Sequence, residues 1–414
     1  MRRAWRFSAR LAVAGLLTAP GLANAIERCV VVAWDDPAAA KSFVAAIETT
    51  PPFDVVTPDL EVGADGLVRS GFGKLLHVSR ATGVISLIDP DTWTIDDSFA
   101  LGAASNPRDI AIVDSDTAYV TRRSESTLLR LDLRVGATVD AVDLSPLGVS
   151  GGDLAMETML VHAGRLYVQL PRPLGSPFPS FVGVIDLATE QIVDADPGRQ
   201  GPQAIALAGT PPHFKMQIIP GTNRLLLSAT GSSLDFGGLE TVDLDTLQSE
   251  GLVLAEFVDV SLNDLGPFAM IDSDRGWYSG STDIVLSSHL HPFTLSAGGF
   301  TPEAASVLFY FSPHIAYEVT NDTIFWPVPM GLRAFDATTG AERTVVATAL
   351  SGDPTDIALL TPIEEVPALH GARPALALAL ILAGSSALVR AGTALSVTTC
   401  WRARSRRRKK FRPC

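Results

Sequence analysis

The chain has 414 residues, 47% of them apolar, 7% aromatic and 19% charged, with 34 Gly and 28 Pro, a composition that excludes a disordered or collagen-like polymer and allows a large buried core. The net charge of −13 is segregated: residues 1–25 carry four Arg and no acid, residues 371–414 carry ten Arg or Lys and no acid, and the body between them holds 18 basic residues against 45 acidic ones. A body that acidic repels phosphate backbones, so nucleic-acid binding by the folded part is excluded as a function class.

Residues 1–25 read as a signal peptide. Arg2, Arg3, Arg6 and Arg10 make the basic start, Leu11 to Leu17 the apolar run, and Ala23-Asn24-Ala25 the small-residue site, with cleavage expected after Ala25. Glu27 and Arg28 ahead of Cys29 do not form an acylation box, so no lipid anchor is expected. Cys29 is the body's one cysteine, Cys400 and Cys414 lying beyond an apolar segment, and no disulfide framework is available inside the body.

Residues 26–361 carry a repeat. An apolar residue, Asp and a turn recur in Leu87-Ile88-Asp89-Pro90, Arg130-Leu131-Asp132-Leu133, Val184-Ile185-Asp186-Leu187, Thr241-Val242-Asp243-Leu244 and Ala334-Phe335-Asp336-Ala337, at intervals of 43, 54, 57 and 93 residues. The last interval is nearly double, so one copy has lost its Asp, around Phe293 to Thr294. Such a period with alternating apolar residues and no helical pattern is the mark of a β-propeller, one four-stranded blade per unit. In one unit the strands read as 108–113, 117–122, 128–133 and 138–144, with Asp114-Ser115-Asp116 as the first turn.

The same template places innermost strands near Gly66, Ile110, Thr158, Met216, Ala269, Ile315 and Ile357. The fold class is therefore all-β, a seven-bladed β-propeller, with six blades as the alternative count. The last start, Asp353-Pro354-Thr355-Asp356-Ile357-Ala358, echoes Asn106-Pro107-Arg108-Asp109-Ile110-Ala111 but has no strands after it. Segments 29–34, 42–48 and 54–61 can supply them, so a C-terminal strand joining N-terminal ones would close the ring and cover two open edges. Ala118-Tyr119-Val120-Thr121 and Val184-Ile185-Asp186-Leu187-Ala188-Thr189 resemble the YVTN class of bacterial propeller repeats; the resemblance implies a secreted or surface protein and speaks of blade construction rather than chemistry.

Gly-x-Ser-x-Gly, His-Glu-x-x-His, phosphate-loop and Cys-x-x-Cys motifs are all missing from the sequence. No catalytic residue, cofactor or metal is assigned. His289 and His291 share a strand face but lack a third ligand, and Asp114-Ser115-Asp116 and Asp272-Ser273-Asp274 fit tight turns better than calcium loops. Phe178, Phe181, Trp277, Tyr278, Phe309, Phe311, Phe325 and Trp326 read as core between blades. The candidate ligand site is a rim at the channel mouth, where the innermost strand begins and the second ends: Asp65 with Arg80, Asp109 with Arg122, Glu157 with Arg172, and Asp356 as a fourth acid. Carboxylates of depressed pKa there would suit a cation or a small polar ligand; the competing reading is that each pair ties two strand ends together.

Residues 362–373 read as a linker with a sorting motif and 374–400 as a transmembrane segment. Pro374 to Val389 is 16 uncharged residues, about 24 Å as a helix, and continuing past Arg390 to Cys400 reaches the roughly 30 Å of a bilayer core. The basic tail 401–414 is expected to stay cytoplasmic. Val366-Pro367-Ala368-Leu369, the apolar run and the Arg cluster resemble the PEP-CTERM/IPTL-CTERM sorting tails of bacterial surface proteins, which implies export to the periplasm or cell surface and anchoring in the membrane through the C-terminal helix. The function expected is a non-enzymatic binding or scaffold module for a protein, polysaccharide or small polar ligand; the alternative is an exported hydrolase or lyase, lactonase-like, using the mouth carboxylates.

Overall fold

The computed structural model describes residues 29–360 except 37–40, 58, 124, 148–153, 173–178, 210–214, 231–236, 255–263, 282–286, 297–298, 303–306, 311–313, 329–330 and 348–351. The expected signal peptide and the 362–414 tail lie outside the described residues. Among those residues no helix is long and apolar enough to cross a membrane.

Seven antiparallel sheets follow one another as blades, each running from an innermost strand outward. The innermost strands are Gly66–Gly71 in blade 1, Pro107–Ile112 in blade 2, Met159–His162 in blade 3, Met216–Ile218 in blade 4, Asp264–Met270 in blade 5, Ala316–Glu318 in blade 6 and Asp353–Leu360 in blade 7. Each touches the innermost strand of the next blade, blade 4 meeting blade 5 through Gln217 and Met270, and blade 7 touches blade 1. The seven expected starts are all found and the six-bladed alternative is not.

Blade 7 is composite. Asp353–Leu360 pairs antiparallel with Cys29–Asp36, from Cys29↔Leu360 to Asp35↔Asp353, followed outward by Lys41–Glu48 and Leu60–Val62. The outer strand is shorter than the expected 54–61, because Pro51 and Pro52 turn the chain and only Val55 forms a bridge, to Ile47, before Leu60. Alternation explains the placement: Val31 and Ala33 pack toward blade 1 with Val68 and Leu75, while Val30 and Val32 pack toward blade 6 with Phe325 and Leu332. The N-terminal strands are apolar on both faces because both face a neighbour.

The recurring Asp has a local cause. Asp89 accepts from the N–H of Asp91 (2.7 Å), Asp186 from Thr189 N–H and hydroxyl (both 2.9 Å), Asp243 from Thr246 N–H (2.8 Å) and Asp336 from Thr339 N–H (2.8 Å), closing the turn between third and fourth strands. In blade 5 the pairing Arg275↔Thr294 occupies the register of Arg224↔Asp243, so Thr294 stands where the Asp was lost. Asp114 and Asp272 close first turns in the same way, accepting from Asp116 and Asp274.

Candidate functional site

Gly66–Gly71 carries Arg69 at the centre of the ring, and its guanidinium is the hub of the channel. Nε donates to Asp109 Oδ1 at 2.8 Å, and Nη1 donates to Asp356 and to the Val68 carbonyl. Arg69 thus spans blades 7, 1 and 2. His314, just before Ala316–Glu318, brings Nδ1 to 3.0 Å from Asp356 Oδ1. Lys215, just before Met216–Ile218, reaches across the ring to donate to the Ile315 carbonyl at 2.8 Å. These groups line one cavity of about 240 Å³.

The two echoing segments of the sequence play the same part. Asp109 accepts from its own neighbour's Ile110 N–H (2.9 Å) and from Met159 N–H of blade 3 (2.7 Å); Asp356 accepts from Ile357 N–H (2.8 Å) and from Val68 N–H of blade 1 (3.0 Å). Each carboxylate stitches its blade to the next, and Arg69 joins the two. Gln217 makes a comparable stitch, its Oε1 accepting from Met270 N–H at 3.1 Å.

Burial sets the electrostatics. It pushes the Asp109 carboxyl up despite Arg69 and the backbone donors, which corrects the expectation of a depressed value there. Burial also works on Asp356, but Arg69, His314 and two N–H groups outweigh it and leave that carboxyl below the usual range. The two carboxylates in turn keep Arg69 charged against its own burial. Burial lowers Lys215 to about 8, with Asp356 opposing, and lowers His314 to about 4. Asp109 takes N–H donors on both oxygens and so stands as a carboxylate, and the cavity holds two cations, two carboxylates and, at neutral pH, an uncharged imidazole.

The expected rim assembles only in part. Asp65 and Arg80 do pair, at the open end of the first hairpin of blade 1 beyond Gly66↔Ser79, with the Asp65 side chain half exposed. Asp109 is 1% exposed and turns to Arg69; Arg122 instead meets Asp140 at 3.2 Å and the Thr127 carbonyl at 3.1 Å. Glu157 is held by Arg108 at 2.8 Å with Arg123 at 3.8 Å. Arg172 is buried beside Phe181, its guanidinium carbon 5.8 Å from the ring centroid. The pairing failed because directly opposite residues share a face while successive ones alternate: Asp109 stands opposite Thr121, so Arg122, one residue on, points away from it. Arg69, Lys215 and His314 were missed; the legible signal was a basic residue at or beside an otherwise apolar innermost strand. His291 is no ligand candidate, since it is buried and stacked on Tyr278 with centroids 5.0 Å apart. Of the aromatic residues assigned to the core, Trp277, Tyr278, Phe325 and Trp326 are buried there and Phe181 is half-buried; Phe178 and Phe311 lie outside the described residues.

No protein-family model and no curated protein matches the chain. Among solved structures it is similar to a Bacteroides fragilis protein provisionally assigned as a 6-phosphogluconolactonase, at 10% identity and a TM-score of 0.58 over 81% of this chain and 98% of that one. It is also similar to a Lactobacillus plantarum protein, at 14% identity and a TM-score of 0.56 over 81% and 99%. A functionally unknown Desulfotomaculum acetoxidans protein matches at 11% identity and a TM-score of 0.54 over the same shares. At these identities the likeness is one of fold alone: a seven-bladed propeller with neighbours of the 6-phosphogluconolactonase-like type.

Proposed function

We propose that this chain is a binding module, exported by residues 1–25 and held at the cell surface by the 374–400 segment, which takes a small polar ligand at the channel cavity. The YVTN-like phrases and the sorting-type tail support export and anchoring. One observation carries the binding reading: Arg69, Lys215, His314, Asp109 and Asp356, from five blades, converge on a single cavity. Of the rim residues expected at the mouth, Asp109 and Asp356 belong to this proposal, whereas Asp65, Arg80, Arg122 and Glu157 contribute as ties between strands and Arg172 packs on Phe181. The hydrolase or lyase alternative has less support, since both channel carboxylates already accept backbone N–H groups and Arg69 and so are poorly placed to act as general acid or base.

The test is a thermal-shift screen of the purified protein against sugars, organic acids and short peptides, run beside Lys215→Met. Ligands that stabilise the wild type and not the variant support the reading. Hits that survive in the variant, or consumption of a lactone by the wild type, would overturn it.

A further inference from the structure

The cavity is balanced in charge but not in hydrogen-bonding capacity. Asp109 accepts from three donors, Ile110 N–H, Met159 N–H and Arg69 Nε, and Asp356 from Val68 N–H, Ile357 N–H, Arg69 and His314. The donors are not used up. Lys215 has three N–H bonds, one of them taken by the Ile315 carbonyl, and Arg69 commits Nε and Nη1 while its Nη2 has no acceptor among the described residues. What the described residues of the channel lack is an acceptor for these donors.

We infer that the channel, on the reading above that it is the binding site, takes a small monoanion of the size of a short carboxylate, held between the Arg69 guanidinium and the Lys215 ammonium. The volume of about 240 Å³ lies below the roughly 300–1,000 Å³ of drug-sized pockets, which suits a small ligand better than a nucleotide. The charge must be single, because a second negative charge would face Asp109 and Asp356 at low local dielectric. Arg69 suits a planar carboxylate through its fork of donors, and Lys215 supplies a point charge.

The ionisable groups facing Lys215 are Arg69 on blade 1, Asp109 on blade 2, His314 ahead of blade 6 and Asp356 on blade 7; the cavity lining from blade 3, Thr158 and Met159, is not ionisable. Burial holds Lys215 at about 8, so near that pH a fraction of the chains carry a neutral amine. An anion beside it favours the ammonium, so binding draws a proton from solvent, and affinity falls as pH rises above about 8.

Acetate is titrated calorimetrically into the purified chain at pH 8 in Tris and in HEPES, whose ionisation heats differ. Uptake of up to roughly half a proton per acetate is expected, since half of a group titrating near that pH is unprotonated. Lys215→Arg should keep acetate binding and abolish the uptake, and Lys215→Met should weaken binding at least tenfold, about 1.4 kcal/mol. Sulfate, the dianion, should bind more weakly than acetate. No acetate binding, binding without proton uptake, uptake that persists in Lys215→Arg, or sulfate binding the tighter would each overturn the inference. If a neutral ligand nevertheless stabilises the wild type and not Lys215→Met, the binding reading stands and only the anion is wrong; if no ligand does so, both fall.

Discussion

Replacing Asp109 and Asp65 singly by Asn separates a tie that holds the ring from one that does not. Asp109 uses both oxygens: Oδ1 takes Arg69 Nε at 2.8 Å and Ile110 N–H at 2.9 Å, and Oδ2 takes Met159 N–H at 2.7 Å. An Asn has one acceptor oxygen and an NH2 group, so a donor must face either Arg69 or Met159 N–H. Hydrogen bonds to charged groups contribute about 1.5–3 kcal/mol, and breaking a buried pair from one side costs about 3–5 kcal/mol. The Asp65–Arg80 pair is half exposed on the Asp side, where such pairs are worth about 0–1 kcal/mol. At about 2–4 °C per kcal/mol, Asp109→Asn should lower the melting temperature by roughly 10 °C and Asp65→Asn by no more than about 4 °C. Circular dichroism melts at pH 7 read both. Equal shifts, or a larger one for Asp65→Asn, would refute the view that Asp109 is a stitch between blades.

Three further outcomes are expected. A chain shortened to Gly352 should not melt cooperatively while one shortened to Glu365 does, because the first loses the strand that completes blade 7, with Leu360 and Asp356 buried in it; identical melts would refute the closure. His77 is fully buried, with both ring nitrogens lacking partners among the described residues, and burial lowers it to about 4 against the partial opposition of Asp356. The unfolded chain takes up this proton near pH 6.5 and the folded one only near 4, so up to about 3 kcal/mol of stability is lost as pH falls through that window; urea unfolding of His77→Phe should show a shallower decline from pH 6.5 to 4, and an unchanged slope would count against it. In spheroplasts an added protease should digest the propeller and spare a tag placed after Cys414; a protected body would reverse the proposed topology.

The blade order and the ring closure were legible in the sequence because they rest on local causes. A carboxylate two or three residues ahead of a turn N–H marks the outer hairpin of several blades, as Asp89, Asp186, Asp243 and Asp336 do, and strands apolar on both faces mark blades with neighbours on both sides. The echo between the segments around Asp109 and Asp356 was visible too, but not its meaning. What those carboxylates bind is set by residues 40 and 287 positions from Arg69 along the chain, and which side of a strand meets which blade depends on twist and register rather than on spacing. Pairing acid with base inside one blade therefore failed for Asp109 and Glu157, while Asp65 and Arg80, joined across a single hairpin, were paired correctly. Lys215 and His314 needed the closed ring most of all. Nothing in their own segments says that a strand from the other side of the channel stands opposite, and it is that opposition, under burial, which gives a lysine and a histidine their altered proton affinities.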